Sequence, residues 1–198
     1  MILLAFVVGM AAVPLVILPE HLARELLIEG LPVWTAWAVI EELAKYVVAA
    51  LIILPRRAIN ESIDYVIYML TVALGFAAAE NMLFLLEPAG NGDFLAGLVT
   101  NNLRFIGATL LHVLASSAIG FALAFSYKKS PIIRTLCAAG GLILAVALHT
   151  AFNALIIVSG GTEALSAFLL VWSAAVVFFA LFEILKYFRY RRLSKTTC

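Results

Sequence analysis

Between Leu31 and Leu54 lies an apolar run interrupted near its middle by Glu41, Glu42 and Lys45. About 20 apolar residues suffice to cross a bilayer, so the run is long enough to do so. A helix here carries two adjacent carboxylates roughly 15 Å from either end, at about 1.5 Å per residue. A charged group at that depth is disfavoured by on the order of 2.5–3.5 kcal/mol on insertion scales. Helix packing does not require that penalty, so a fold for this chain must bring partners to these three groups.

The rest of the chain is equally apolar. Of 198 residues 65% are hydrophobic and 13% charged, and the mean hydropathy is +1.10. Soluble domains are about half apolar, which excludes that class. The expectation is an all-α, polytopic bundle of about six transmembrane helices, one integral membrane domain over 1–198. Cys137 and Cys198 suggest no disulfide framework. Cys198 is the last residue, so it does not fit a prenylation box. No Gly-rich phosphate loop occurs, and the basic tail reads as a membrane anchor, so no nucleic-acid partner is expected.

The first segment, Met1 to Leu18, reads as a retained, rather short helix, since a signal peptide would need a basic start and a cleavage site. Pro19 to Gly30 reads as a polar connector. The second helix runs from Leu31 to Leu54 and the third from about Asp64 to Leu86, before the turn-formers of Glu87 to Asp93. The fourth begins near Leu98 or Asn102 and reaches Tyr127. The fifth spans Ile132 to Val158, and the sixth about Glu163 to Tyr187. With both termini cytoplasmic, the inside carries Arg56, Arg57, Lys128, Lys129, Arg134, Lys186, Arg189, Arg191, Arg192 and Lys195; the outside keeps Arg24 and Arg104. That bias sets the orientation.

This topology permits a comparison of depths. Glu41 and Glu42, Glu80, His112 and His149 come from four different helices. Counted from the outer surface, all fall in one layer roughly 10–17 Å down, at about 1.5 Å per residue. Stray charges tolerated one by one would not be expected to agree in depth. Lys45 is one turn from both Glu41 and Glu42, within reach of an ion pair. Gly75 and the alanines before Glu80 permit close helix approach, expected against the second helix. Asn153 is four residues after His149 and on its face, where it can orient the imidazole or donate to an oxyanion. Arg104 is set to balance the carboxylates or dock a substrate carbonyl, or to snorkel to the interface. Ser116 and Ser117 have no surroundings suggesting a nucleophile, and His21 reads as incidental.

Carboxylates and imidazoles at one buried depth suit the activation of water, directly or through a metal. A set of Glu80, His112 and His149 would suit zinc, with Glu41 or Glu42 as base. Lys45 and Arg104 already offset much of the negative charge, which argues the other way. The residues leave the metal open.

Glu41-Glu42-Leu43-Ala44-Lys45, Gly75 to Glu80 followed by Asn81, Arg104 followed by His112, and His149-Thr150-Ala151-Phe152-Asn153 resemble the successive motifs of the PrsW family. These are intramembrane proteases related to the type II CAAX prenyl endopeptidases and the CPBP group. The resemblance covers about Leu31 to Val158. Lys45 and Glu80 align the chain with PrsW; the prenyl endopeptidases carry arginine one place later and histidine in the second motif. The resemblance implies Glu41, Glu42, Glu80, His112 and His149 as the catalytic set, with Lys45, Asn81, Arg104 and Asn153 in support. It implies hydrolysis of a peptide bond in a membrane-embedded protein substrate, such as an anti-sigma factor. The family is classed with metalloproteases, while its prenyl-protease relatives resemble glutamate proteases. Other readings of the same layer are a proton or ion carrier and a scaffold or immunity-type protein. The carrier lacks the inverted repeat and broken helices usual in transporters, and the scaffold would not need every motif residue kept.

Overall fold

A computed structural model of the chain contains six helices and, among the described residues, no strand. The backbone is described for residues 1–90, 94–158 and 164–196; the side chains of 85–90, 94–105, 157–158, 164 and 189–196 are not. The helices are α1 (Ile2–Leu26), α2 (Leu31–Val48), α3 (Ser62–Gly90), α4 (Phe94–Phe125), α5 (Pro131–Val158) and α6 (Ala164–Thr196). Within α1, α3, α4, α5 and α6 are stretches long and apolar enough to cross a membrane. The sixth helix, α2, carries Glu41, Glu42 and Lys45. It continues through a π-helical turn, Ala49–Ile53, where the Leu54 N–H reaches back five residues to the Ala49 carbonyl at 2.9 Å. Such turns inside α-helices occur frequently at functional sites.

The expected connector between Pro19 and Gly30 is not found. Helix α1 continues through Pro14 and Pro19 to Leu26. Proline removes one backbone donor and crowds the preceding turn, a defect that neighbouring helices can offset in a membrane bundle. Here the Trp37 indole N–H donates to the Glu20 carbonyl at 3.1 Å, holding α2 against the extended part of α1. No glycine follows Pro19 until Gly30, whose φ of 119° makes the turn into α2. Helices α3 and α6 also overrun their expected ends, because intrahelical bonding need not stop where hydropathy falls, while α4 starts earlier than expected, at Phe94, and stops at Phe125, short of Tyr127. The expected turns at 91–93 and 159–163 lie outside the described residues.

The bundle is organised around α3 and α4. Of their apolar stretches 61% is buried, against 33% for α1 and 17% for α5 and α6. Val66, Met69 and Val72 of α3 meet Ala115 and Ile119 of α4 in the main core. Helix α1 crosses α3 at Gly9 and Gly75. A Cβ on Gly9 would come to 2.0 Å from the Val72 carbonyl oxygen, and one on Gly75 to 1.9 Å from that of Phe6. Gly75 therefore faces α1, not the second helix as expected from its small neighbours. The reason is on α1, where Ala5, Gly9 and Ala12 form a matching small face. One turn further along α3, Ala79 joins Ile40 and Ala44 of α2 against a small core that includes Phe76 of α3 and Val16 of α1.

Candidate active site

The charged stretch of α2 faces inward. Glu42 and Lys45 are wholly buried, and Glu41 is 7% exposed. Helical spacing puts Trp37, Glu41 and Lys45 on successive turns of one face, with Glu42 beside them. Helix α3 brings Glu80, α4 brings His112 and Ser116 one turn apart, and α5 brings His149. Five of the residues singled out in the sequence thus meet around Lys45 within one cluster: Glu41, Glu42, Glu80, His112 and His149.

Glu42 is fully engaged. Its Oε1 accepts from Lys45 Nζ at 2.6 Å and from His149 Nδ1 at 3.0 Å, and its Oε2 accepts from Ser116 Oγ at 2.7 Å. Lys45 Nζ also donates to His112 Nδ1 at 2.9 Å. An ammonium has no lone pair, so Nδ1 of His112 is the acceptor and Nε2 carries the proton. That Nε2–H donates to Glu80 Oε2 at 2.6 Å. A carboxylate only accepts, so His149 carries its proton on Nδ1 and turns Nε2 toward Glu41. The two imidazoles meet edge to face, 5.1 Å apart, and Phe76 underlies Lys45 with its ring centre 4.5 Å from Nζ.

Glu41 is the exception. Among the described residues its Oε2 is buried without a hydrogen-bond partner, with Lys45 Nζ and His112 Nδ1 each at 3.7 Å. Its Oε1 is 3.9 Å from His149 Nε2. An unsatisfied buried acceptor costs about 1–3 kcal/mol, more when charged. Glu41 also lines a cavity of about 170 Å³ between α1 and α3, together with Glu20 and Glu80. Ile17 and Leu83 form part of its wall and are 52% and 47% exposed, so the cavity is reached from the apolar flank of the bundle.

Glu41, His112 and His149 each offer a ligand atom, and the three atoms lie within 4.8 Å of one another. Donors around a tetrahedral zinc are about 3.3 Å apart at bond lengths of about 2.0–2.1 Å. Small inward movements would therefore suffice to hold an ion. The nitrogen of each histidine that faces away from Glu41 is held by a carboxylate, Glu80 for His112 and Glu42 for His149. Metal-binding histidines are commonly oriented in this way. The converging set has Glu41 where the sequence reading put Glu80, and Glu80 holds the far side of His112.

Of the supporting residues, Lys45 is central. Asn81 donates from Nδ2 to Thr109 Oγ1 at 3.0 Å, tying α3 to α4 beside Glu80. Asn153 is half-buried one turn beyond His149. The Arg104 side chain lies outside the described residues. Sequence reasoning passed over Ser116 and Glu20. Ser116 is four residues after His112, hence on its face. Glu20 continues the buried α1 face of Val13 and Val16 at helical spacing, a signal hidden once Pro19 was read as the helix end. Ser117 donates to the Val113 carbonyl within α4 at 2.5 Å and takes no part in the cluster.

No curated protein and no solved structure matches this chain. A family model does, described as PrsW family intramembrane metalloprotease and matching residues 1–183. With the match covering most of its length, the chain belongs to that family: it is a multi-pass integral membrane protein and an intramembrane protease.

Proposed function

We propose that this protease hydrolyses a peptide bond of a membrane-embedded protein with water activated at Glu41, His112 and His149. The observation that carries the reading is the buried, unpartnered Oε2 of Glu41 beside a cavity open to the apolar flank. A buried acceptor in that state would be stabilised by a cation held between Glu41 and the two imidazoles.

The residues fit a divalent ion on three counts: the spacing of the donor atoms, the carboxylates behind both imidazoles, and the charge. Among the described residues of the cluster, three carboxylates (Glu41, Glu42, Glu80) less one ammonium (Lys45) leave a formal charge of −2. Glu41, His112 Nδ1 and His149 Nε2 would hold the ion. When bound, it would polarise a water and the substrate carbonyl. Glu42 and Ser116 fix the plane of His149, and Glu80 fixes that of His112. Glu80 also faces the cavity, and we assign it the proton released by the attacking water, for return to the leaving amine. The substrate segment would enter past Ile17 and Leu83, which avoids drawing an apolar helix through water. From the resemblance, a membrane-anchored regulator such as an anti-sigma factor is the first substrate class to test.

The experiment is a comparison of membrane proteomes from cells carrying the wild type or Glu41→Gln, with elemental analysis of the purified wild type and His149→Ala. A substrate that accumulates in full-length form in the variant, and stoichiometric zinc in the wild type that His149→Ala lacks, are expected. Undiminished cleavage by Glu41→Gln overturns the assignment.

A further inference from the structure

Lys45 is bonded to one of the atoms that a metal would need. Its ammonium is wholly buried, 2.9 Å from His112 Nδ1 and 3.7 Å from Glu41 Oε2, with Glu42 Oε1 at 2.6 Å on its other side. Nδ1 of His112 has a single lone pair, so it cannot accept from an ammonium and bind an ion together. A dication at about 2.0–2.2 Å from Nδ1 and Glu41 would also stand within a few ångströms of Nζ, where the surroundings screen charge poorly. Lys45 has little room to withdraw, since Phe76 lies under Nζ at 4.5 Å and the short contact to Glu42 holds it. Turning toward Glu42 frees Nδ1 while keeping the stronger partner.

We propose that the Lys45 ammonium is the internal counter-ion of the metal-free site and competes with a divalent ion for His112, so that Lys45 sets how tightly the ion is held. The inference rests on the metal reading above. Before an ion arrives, the ammonium draws Glu41, Glu42 and His112 around a single cation and keeps the two buried carboxylates, and half-buried Glu80 beside them, from repelling one another. Once an ion is present, the same charge opposes it. Lys45 is in this sense a positioning residue that lowers the affinity of the site it organises.

The test is equilibrium zinc competition against a chromophoric chelator, with the full-length protein in detergent. Lys45→Met and Lys45→Gln should bind zinc on the order of tenfold tighter than wild type, the change expected from releasing one charge-assisted hydrogen bond. Their metal-free forms should melt lower than wild type and recover when zinc is added. Zinc bound by wild type but no tighter by either variant overturns the competition and leaves the metal reading standing. Zinc bound by neither wild type nor variants overturns both. Should the variants fail to fold, wild type labelled with ¹⁵N in histidine and lysine keeps the question answerable. Zinc should shift the His112 Nδ1 and Lys45 Nζ resonances together, and an Nζ resonance that stays in place while Nδ1 takes the metal overturns the proposal.

Discussion

Glu41 and Glu42 are neighbours in the chain, yet they face different regions of the molecule. Glu42 points into the wall formed by α2, α4 and α5, where Lys45, His149 and Ser116 use both of its oxygens. Glu41 lines the cavity between α1 and α3, and among the described residues its buried Oε2 has no hydrogen-bond partner. The first carboxylate is satisfied from within the protein, whereas one oxygen of the second has no hydrogen-bond donor among the described residues. One residue along a helix turns a side chain by about 100°, enough to separate a carboxylate that holds the site together from one free to meet water. The pair is a division of labour written into two adjacent positions.

The comparison is broken or sharpened first by replacing each glutamate. Glu41→Gln should lower cleavage by roughly 10²–10⁴-fold while melting close to wild type, because it forfeits few contacts. Glu42→Gln should also lose cleavage, but with a stability loss of about 3–5 kcal/mol, the usual penalty for removing one partner of a buried ion pair. Cleavage assays and thermal melts on the two proteins decide this. Equal stability losses would mean that the two regions do not differ as described.

Next in size is the coupling within the cluster. Glu41→Gln combined with His149→Ala should cleave no more slowly than the worse single variant, since parts of one device are not additive. Multiplying effects in kinetic assays would separate the two residues. A smaller effect is expected at the cavity wall. Leu83→Trp or Ile17→Trp should reduce kcat/KM by about tenfold through substrate entry, corresponding to about 1.4 kcal/mol, and leave zinc content unchanged. Loss of zinc in either variant would show that the cavity wall and the metal region are not independent. The smallest effect belongs to Ser116→Ala, which removes one hydrogen bond from Glu42. A loss of about 1.5–3 kcal/mol in stability, typical for a bond to a charged group, with only a several-fold drop in cleavage would place Ser116 on the Glu42 side.

Much of this was legible without coordinates. The depth count put Glu41, Glu42, Glu80, His112 and His149 in one layer, and the structure joins them directly. The Lys45 ion pair followed from helical spacing. What was not legible depended on other helices. Glu20 was set aside because Pro19 looked like a helix end, although Trp37 on α2 holds the helix past it. Gly75 was assigned to the wrong neighbour, since small residues show that a helix can be approached closely but not by which partner.

The amino-acid sequence by itself determined the class of molecule, the number of helices and the spacing of the ionisable groups along them. Those follow from hydropathy and from a rise of about 1.5 Å per residue, properties each segment has in isolation. Only the tertiary structure decided which carboxylate has both oxygens hydrogen-bonded and which does not, which nitrogen of each histidine faces Glu41, and that Lys45 bridges Glu42 and His112. These depend on how α1, α3, α4 and α5 are rotated about their axes against α2. That rotation is set by packing contacts such as the Gly9–Gly75 crossing, whose partners lie far apart in the chain.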